Sequence, residues 1–294
     1  MLHIRPEPLL RNLTSLRLGG KALAELSFDE ESDLDELAAA CASVGGLPFV
    51  LGGGTNILAT DGPLPLVLLR PPCKGGLELV ELDQDKALVH AAAGVRMPRL
   101  LAQCATWGLS GFEGLVGIPG TVGGAVAMNA GSYGCETARL LHSLRIWSPE
   151  AGPEILYPDQ WKFVYRKFVL KKNVTCFFIL SASFCLTRVA SNGIRESMRL
   201  NYFQKKSTQP VKAWSAGCAF KNPSPGLSAG KLLDDAGFKG KRLGGMAFSP
   251  LHANFLINEG RGSAAAAFDL LQQAREAVLQ REGISLQLEI KVLP

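Results

Sequence analysis

The sequence predicts an α+β protein with more than one domain, and three observations support that prediction. Short apolar or alternating runs of strand length follow one another through the first two thirds of the chain, with few helical patterns between them. The composition becomes polar and helical near Ala190, and turns, two helices and a closing strand follow. The chain lacks repeated strand–helix–strand units, which disfavours a parallel doubly wound sheet. Its 294 residues are enough for two or three small domains.

Composition and charge indicate a folded protein that does not bind nucleic acid. Apolar residues make up 47% of the chain and charged residues 19%, so it can bury a sizeable core. The net charge of +5 is mild and spread out, with no arginine-rich arm and no basic stripe interleaved with aromatic residues. A site for an anionic small molecule remains compatible with this charge.

Cysteine usage and the N-terminus predict a cytoplasmic location. The seven cysteines are odd in number and include no CxxC pair, as in proteins whose thiols stay reduced. The four histidines lie apart from one another and from the cysteines, so no metal site is expected. The N-terminal stretch carries proline and charges where a signal peptide has an apolar run. The longest apolar tract, residues 176–186, is far too short to span a bilayer.

Hydrophobic periodicity predicts the individual elements in chain order. A helix over residues 33–44, capped by Ser32, leads into a buried strand at 47–51. The next predicted elements are strands at 66–70, 77–82 and 87–92, a helix at 97–108 with proline in its first turn, and strands at 140–148 and 175–187. After a polar helix that follows Ala190, the last ones are a helix near 229–236, a strand around 253–258, a long helix capped by Ser263 and a closing strand at 286–292.

The first candidate binding motif is FVLGGGTNIL, residues 49–58, which places three glycines directly after a predicted buried strand. Glycines there let backbone N–H groups approach a phosphate closely, and successive amides form an anion-binding concavity. No Gly-Lys-Ser/Thr follows, and the spacing is not GxGxxG, so neither common nucleotide motif is present. Taken alone, the stretch fits an ordinary tight turn equally well.

The second motif, GIPGTVGGAVAMNAGSYG at residues 117–134, is more specific. Six glycines and one proline fall within these eighteen residues, a composition that suits backbone lying flat along a long ligand. Ile118, Val122, Val126 and Met128 favour burial and so argue against a flexible surface loop. Two glycine-rich loops beside strands, without a P-loop signature, indicate one extended dinucleotide such as FAD.

The third motif, SAGCAFKNP at residues 215–223, places Cys218 in a turn of small residues next to Lys221 and Asn222. The scattered histidines make a metal ligand improbable. A buried structural thiol and a catalytic acid both remain open from the residues alone.

These motifs together give the chain a family resemblance. It resembles the UDP-N-acetylenolpyruvoylglucosamine reductases, flavoenzymes that complete UDP-N-acetylmuramate for peptidoglycan, over roughly residues 12–292. The joint occurrence is highly specific. The matching motifs, in chain order, are NLTSLRLGG, LGGGTNIL, GIPGTVGGAVAMNAGSYG, Tyr165-Arg166, SAGCAFKNP, AGKLLDDAGFKGKRLGG, HANFLIN and LEIKV.

The resemblance implies an FAD-binding fold of the vanillyl-alcohol-oxidase (PCMH) type. Its two subdomains are expected at residues 1–70 and 71–200, and an α+β substrate domain at 201–294. The implied ligands are non-covalent FAD, NADPH as co-substrate and UDP-N-acetylglucosamine enolpyruvate as substrate. Neither nucleic acid nor a membrane is expected as a partner.

The resemblance also implies three classes of site residue. The catalytic residues are expected to be Arg166, Cys218 and Glu289, and the substrate-binding residues Tyr165, Lys221, Asn222 and His252. The implied FAD-binding residues are Gly52, Gly53, Gly54, Thr55, Asn56, Ile57, Ile118, Pro119, Gly120, Thr121, Gly123, Gly124, Asn129, Ala130, Gly131 and Ser132.

The implied reaction suits the chemistry of the three catalytic residues. Hydride addition to the enolpyruvyl group leaves an enolate-like carbon that must receive a proton, while charge develops on the neighbouring carboxylate. Arginine's fixed fork of donors suits that charge, and Glu289 is expected to help polarise it. From the alternation of residues 286–292 alone, Glu289 would face solvent with Gln287 and Lys291.

Cys218 stands where the family usually has serine as proton donor. A thiol has a reference pKa of about 8.5, near neutrality, and is therefore chemically sensible as a general acid. A nearby cation would lower that pKa and could leave a thiolate, which cannot donate. A second departure is Phe168, where the family often has serine after Tyr165-Arg166.

Two other interpretations stay open from the sequence. One is a flavoprotein oxidase of the same fold that acts on an alcohol, and the motifs of the third domain argue against it. The other is a flavin-binding protein without catalysis, and the complete set of Arg166, Cys218 and Glu289 argues against that.

Overall fold

The computed structural model describes residues 1–72, 74–172 and 176–294, and these divide into two compact units. The first unit comprises Met1–Arg5, Ala24–Gly53 and Val67–Phe203. The second comprises Pro6–Leu23, Gly54–Leu66 and Gln204–Pro294. The first glycine motif is therefore divided between them after Gly53. The expected domain limits at 1–70, 71–200 and 201–294 stay a prediction.

The described residues form twenty strands and seven α-helices. The strands are β1 (Leu2–Pro6), β2 (Ala22–Phe28), β3 (Leu47–Val50), β4 (Ile57–Ala59), β5 (Leu64–Leu69), β6 (Leu77–Glu81), β7 (Lys86–Ala92), β8 (Leu109–Ser110), β9 (Gly131–Ser132), β10 (Cys135–Glu136), β11 (Leu141–Ser148), β12 (Gly152–Leu156), β13 (Trp161–Val164), β14 (Lys167–Leu170), β15 (Phe178–Arg188), β16 (Trp214–Cys218), β17 (Arg242–Leu243), β18 (Met246–Phe248), β19 (Phe255–Asn258) and β20 (Lys291–Leu293). The helices are α1 (Leu34–Val44), α2 (Met97–Thr106), α3 (Val122–Ala127), α4 (Thr137–Leu140), α5 (Ser191–Thr208), α6 (Ala229–Asp235) and α7 (Ala264–Glu282).

The first unit is built around an antiparallel sheet in the order β12-β11-β15-β7-β6, with β8 also paired to β15. Its central strand, β15, is largely buried, which explains why apolar residues predominate in it although serines interrupt the run. Val89 and Phe184, paired across β7 and β15, are fully buried in a core that includes Leu100 of α2 and Val126 of α3. Packing against this sheet therefore holds α3, which lies within the second glycine motif.

A four-stranded sheet in the order β1-β2-β5-β3 covers a second core. Leu26 and Val67 of this sheet pack with Leu37 of α1 and with Phe178 of β15. The first glycine motif follows β3 directly, so the sheet edge sets where that loop begins.

The second unit contains the antiparallel sheet β16-β19-β18-β17 and a parallel pair formed by β4 and β20. Helix α7 packs its apolar face on this unit's core, with Leu270 and Ala274 fully buried. The Ser263 hydroxyl accepts a hydrogen bond from the Ala266 amide at 3.1 Å, so the predicted cap of this helix is confirmed.

Most predicted elements are confirmed within two or three residues, and some local details are wrong. Ser32 does not cap α1, because a short 3₁₀ turn at Glu31–Asp33 precedes the helix and Glu30 and Asp33 form a capping box there. The strand expected to be buried at 47–51 is an edge strand, in which Leu47 is 59% exposed. Two of the predictions concern positions outside the described residues, namely Thr175 at the start of a predicted strand and Cys73 among the cysteines.

The strand predicted over 286–292 is also wrong in extent. Only Lys291–Leu293 form a strand, and Leu288 makes a single bridge to Phe220. Alternation breaks here, since Lys291 and Val292 are both exposed between the buried Ile290 and Leu293. Because the segment runs past the Cys218 turn before it joins β4, it changes partners midway and cannot keep one register.

Candidate active site

In the first unit, the carbonyls that open the first glycine loop are held by Arg70. Its guanidinium Nη1 donates hydrogen bonds to the carbonyl oxygens of Leu51 and Gly52, both at 2.9 Å. Arg70 Nε lies 3.4 Å from a carboxylate oxygen of Glu25, and the other oxygen of Glu25 lies 3.3 Å from Arg5. With these carbonyls bonded to the guanidinium, the loop begins in a defined direction.

The two glycine motifs meet in the first unit at Gly52 and Thr121. A Cβ added at Gly52 would lie 2.5 Å from Thr121 Oγ1, so any side chain there would displace the Thr121 hydroxyl. Thr121 in turn caps α3, with its hydroxyl accepting from the Gly124 amide at 3.4 Å. Arg96 forms a backbone bridge with Thr121. The glycine at 52 therefore allows close packing of one loop on the other.

A cavity of about 350 Å³ opens beside this meeting point. Its wall contains three cations and two carboxylates, which leaves an excess of positive charge, together with Gly52 and Thr121 of the two motifs. The cations are Arg70, Lys74 and Arg96, and the carboxylates belong to Glu25 and Asp29. Backbone amides and cationic side chains suit the diphosphate of a dinucleotide, so the residues present fit FAD. The complete lining is Glu25, Ser27, Phe28, Asp29, Gly52, Arg70, Pro71, Pro72, Lys74, Gly94, Arg96 and Thr121.

The second glycine motif is an ordered and largely buried segment. Val122 and Val126 are fully buried within α3, and Ile118 and Met128 are half-buried, so the expectation of burial holds. Asn129 is buried, and its backbone adopts the left-handed conformation with φ 42°. Its side-chain oxygen accepts a hydrogen bond from the Ala138 amide at 3.0 Å. Among the expected FAD-binding residues here, Gly120, Thr121, Gly123, Asn129 and Ala130 are buried, Ile118, Gly131 and Ser132 are half-buried, and Pro119 and Gly124 are exposed.

Arg166 sits at the tip of the β13–β14 hairpin, in a two-residue turn with Tyr165. Its φ of 57° lies in the left-handed region, where a residue with a side chain costs roughly 1–2 kcal/mol relative to glycine. The guanidinium Nη1 donates to the Gly131 carbonyl at 3.4 Å, and its carbon lies 5.3 Å from the centre of the Tyr165 ring. The hairpin thus brings Arg166 to the second glycine motif within the first unit.

Phe168, the departure noted beside this arginine, has a packing role. Its side chain is buried and contacts the rings of Trp161, Phe163 and Phe177, with centroid distances of 5.3–6.1 Å. This aromatic group anchors the hairpin that carries Arg166.

In the second unit, Cys218 ends β16 at an irregular turn. A shift in strand register separates Ser215 from Cys218, and Gly217 adopts φ 80° between them. After the turn, Asn254 accepts from the Phe220 amide at 2.9 Å and donates to the Phe220 carbonyl at 2.8 Å. Cys218 itself is half-buried. Cys104, in contrast, is buried, and its burial raises the pKa of that thiol to about 12.

Glu289 lies directly beside the Cys218 turn. Its amide donates to the Ala219 carbonyl at 2.9 Å, so the two expected catalytic residues of this unit stand one residue apart across a backbone hydrogen bond. Glu289 is half-buried, and its own carbonyl accepts from the Asn56 side chain at 3.1 Å. The expected FAD-binding residues of the first glycine loop differ in burial. Gly54 and Ile57 of the second unit are buried, whereas Thr55 of that unit and Gly52 and Gly53 of the first unit are half-buried.

The expected substrate-binding residues of the second unit have defined local partners. The Lys221 amide donates to the Gln287 carbonyl at 2.8 Å, and the Asn222 side-chain oxygen accepts from the Ala229 amide at 3.0 Å. His252 Nδ1 accepts from the Asn254 amide at 3.2 Å, which leaves the proton of the neutral ring on Nε2. Burial lowers the pKa of His252, so this ring is neutral at pH 7 and would meet a phosphate as a hydrogen-bond donor.

Two supporting residues and one buried lysine were missed from the sequence. Arg70 reads only as the end of a strand, and Asn254 only as part of HANFLIN. Lys205, one of a basic pair on a polar helix, is only 2% exposed. A buried lysine is expensive unless its charge is balanced, but nothing in the sequence distinguishes it from Lys206.

Comparisons with known proteins agree with this geometry. The family model described as an FAD binding domain matches residues 24–152, and the C-terminal domain of UDP-N-acetylenolpyruvoylglucosamine reductase matches residues 209–293. A reductase of that name from Nitratidesulfovibrio vulgaris is 50% identical, with 100% of this chain and 99% of the relative covered. The one from Oleidesulfovibrio alaskensis is 48% identical over 98% of this chain and 97% of its own. The crystal structure of UDP-N-acetylenolpyruvylglucosamine reductase from Thermus caldophilus is 32% identical, covers both chains fully and has a TM-score of 0.84.

The FAD-binding domain and the glycine-lined cavity define the class: the protein is a flavoprotein oxidoreductase with FAD as cofactor. Since full-length relatives are 50% and 48% identical, the chain belongs to the UDP-N-acetylenolpyruvoylglucosamine reductase family. The predicted α+β class with an FAD-binding fold is confirmed, and its assignment to the vanillyl-alcohol-oxidase type stays a prediction.

The described residues contain neither a membrane-spanning helix nor a metal-binding cluster. None of their helices combines the length and apolar character needed to cross a bilayer. No group of three or more His, Cys, Asp or Glu side chains within residues 1–72, 74–172 and 176–294 is arranged to hold a metal ion.

Gly54→Ala should destabilise the protein more than another substitution in the same backbone conformation. Gly54 has φ 64°, and an added Cβ would lie 2.0 Å from the Leu13 carbonyl oxygen. Gly283 has φ 68° with no atom within 4 Å of that position, so Gly283→Ala should cost only about 1 kcal/mol. We expect Gly54→Ala to cost at least about 3 kcal/mol, measured by thermal unfolding of the FAD-free protein. Equal melting temperatures for the two variants would contradict a rigid contact between Gly54 and Leu13.

Proposed function

We propose that this protein reduces the enolpyruvyl ether of UDP-N-acetylglucosamine enolpyruvate to UDP-N-acetylmuramate, in the synthesis of peptidoglycan precursors. Family membership supports this activity, and the adjacency of Cys218 and Glu289 is the structural observation that carries it. A proton donor and a group that polarises a carboxylate must act on neighbouring atoms of one substrate, as these two residues would.

NADPH is the proposed electron donor and the cytoplasm the proposed location. FAD is proposed to bind without a covalent link. When bound, it would supply the two-electron chemistry that links NADPH oxidation to substrate reduction. Arg70 would orient the start of the first glycine loop, and the amides of that loop would hold the cofactor's diphosphate. Gly120, Thr121 and Gly123 of the second motif are the proposed partners for the rest of the cofactor.

Cys218 is the proposed general acid. Its Sγ–H proton would pass to the carbon next to the substrate carboxylate, and the resulting thiolate would be reprotonated from solvent. Half-burial supports this role, because the thiol can meet a substrate and also regain its proton.

Arg166 and Glu289 are proposed to stabilise the negative charge that develops on the substrate carboxylate. The guanidinium would donate hydrogen bonds to the developing enolate, and Glu289 would help polarise the carboxylate. The strained φ of Arg166 supports a functional role, since strained residues persist where the surroundings demand their side chain. Tyr165, Lys221, Asn222 and a neutral His252 are the proposed contacts to the UDP-sugar.

A direct test uses the purified protein. It should be yellow, release FAD to the supernatant on acid precipitation, lose its flavin colour with NADPH under anaerobic conditions, and regain it with UDP-N-acetylglucosamine enolpyruvate but not with UDP-N-acetylglucosamine. Mass spectrometry should identify UDP-N-acetylmuramate. Reoxidation at the same rate with both sugars would contradict the proposal, and oxygen consumption with an alcohol would favour the oxidase interpretation.

Cys218→Ala should accept electrons from NADPH normally but reoxidise more slowly with the enolpyruvyl substrate, by on the order of 10²–10⁴-fold. Cys218→Ser should retain substantial turnover, because a hydroxyl fits the same small turn and is the donor that the family resemblance implies. Cys185→Ala, on β15, is a control for general loss of a half-buried thiol. Stopped-flow measurement of both half-reactions checks this, and an alanine variant within a factor of two of wild type would remove Cys218 from the mechanism.

Arg166→Gly should lose activity without losing stability. Glycine relieves the left-handed strain, so stability should stay equal or rise by up to about 1 kcal/mol. Reoxidation by substrate should slow by on the order of 10²-fold, because the donor to the developing charge is gone. Glu7→Gly, at φ 46°, relieves similar strain away from the proposed site and should leave turnover unchanged. Melting curves and stopped-flow rates decide the matter; full activity in Arg166→Gly would exclude the proposed role.

A further inference from the structure

Ser15, within the motif NLTSLRLGG, joins two segments of the second unit that the chain keeps far apart. Its amide donates to the carbonyl of Gly54 in the first glycine loop at 3.0 Å. Its hydroxyl donates to the carbonyl of Ser215, at the start of the Cys218 turn, at 2.6 Å. Ser15 therefore bonds to the first glycine loop through its backbone and to the Cys218 turn through its side chain.

Asn56 makes a similar double connection on the other side of the same loop. Its side-chain amide donates to the Glu289 carbonyl at 3.1 Å, and its own carbonyl accepts from the Lys291 amide at 3.0 Å. These bonds lie directly before the parallel pairing of Ile57 with Lys291. The first loop is thus joined to the segment that carries Glu289.

The bond from the Glu289 amide to the Ala219 carbonyl closes a ring of hydrogen bonds. We call this the loop–acid ring, formed by Ser15, residues 54–56, residues 215–219 and Glu289. Within it, Gly217 has φ 80° and no atom within 4 Å of where a Cβ would lie. Packing does not restrain Gly217 on that side, although Ala216 and Ala219 are buried in the core of the second unit. The hydrogen bonds at Ser215 and Ala219 lie at the two ends of the turn and therefore contribute to the position of Cys218.

We propose that Ser15 and Asn56 are positioning residues. Through their hydrogen bonds, the first glycine loop fixes where Cys218 and Glu289 lie. Cofactor binding to the loop would then also order the two residues that act on the substrate. This inference rests on the proposed function for the roles of Cys218 and Glu289. The hydrogen-bonded connection itself belongs to the second unit alone and can be tested without turnover.

The test compares Ser15→Ala with Ser15→Thr, which keeps the hydroxyl, and with Ser263→Ala. Ser263 also makes one hydrogen bond in the second unit, as the cap of α7, so its loss provides a matched decrease in stability. Amide hydrogen exchange by mass spectrometry is followed in peptides covering 213–221 and 284–293. In Ser15→Ala, exchange in 213–221 should rise roughly three- to ten-fold, as expected for the loss of one partly buried hydrogen bond. Ser15→Thr and Ser263→Ala should resemble wild type in that peptide.

Kinetics separate positioning from general destabilisation. Ser15→Ala should keep FAD affinity and the rate of NADPH oxidation within about two-fold, while reoxidation by substrate slows roughly five- to ten-fold. Asn56→Ala should raise exchange in 284–293. Unchanged exchange in both variants would overturn the inference, even if Cys218→Ala behaves as proposed. A fully active Cys218→Ala variant would instead contradict the proposed role of Cys218 as general acid. Hydrogen exchange would still show whether the loop–acid ring connects the first glycine loop to residues 213–221.

Wild-type protein supplies a measurement that needs no variant. Addition of saturating FAD to the FAD-free protein should slow exchange in 213–221 as well as in the first loop. If FAD protects the loop and leaves 213–221 unchanged, the ring does not transmit cofactor binding and the inference is wrong. This arm decides the matter even if Ser15→Ala fails to fold.

Discussion

The second unit depends on one short parallel pairing, between β4 at Ile57–Ala59 and β20 at Lys291–Leu293. Each strand has three residues, and Ile57 and Lys291 are 291 − 57 = 234 positions apart in sequence. Closing so long a loop costs entropy that grows only slowly with length, so a few well-placed contacts can maintain it. Leu58 of β4 supplies such a contact, because it is fully buried in the same core as the apolar face of α7. The pairing sets the first glycine loop beside Glu289.

Around that pairing, buried asparagine side chains replace regular strand ladders. Asn254 bonds both backbone groups of Phe220, and Asn258 donates to the Leu16 carbonyl at 3.0 Å while accepting from the Gly260 and Gly262 amides. Buried backbone groups without partners are costly, and turns rich in small residues cannot satisfy one another by sheet pairing. Amide side chains provide donor and acceptor together, which holds an irregular segment in a single conformation.

The first unit shows a different solution, in which strain is concentrated near the proposed chemistry. Asn129, Tyr133 and Arg166 all have positive φ, and all lie in or beside the second glycine motif or its neighbouring hairpin. The surrounding structure compensates through the buried aromatic group of Phe168 and the sheet centred on β15. A stable scaffold can carry such residues where their side chains serve binding or catalysis.

Local pattern was sufficient for much of this protein. Periodicity located α2, α7 and β15, the glycine content of 117–134 indicated the cofactor class, and the ordered set of motifs identified the family, because each depends on residues close in sequence. The short strand at 291–293, the αL turn of Arg166, the burial of Lys205 and the bonds of Arg70 could not be predicted in this way. The strand at 291–293 and the bonds of Arg70 depend on partners that are distant in the sequence. The burial of Lys205 and the conformation of Arg166 depend on the packed surroundings, which a side chain's own sequence neighbours do not reveal. The alternation of 286–292 predicted one continuous strand, but tertiary structure gave that segment two successive partners and left Glu289 half-buried beside Cys218.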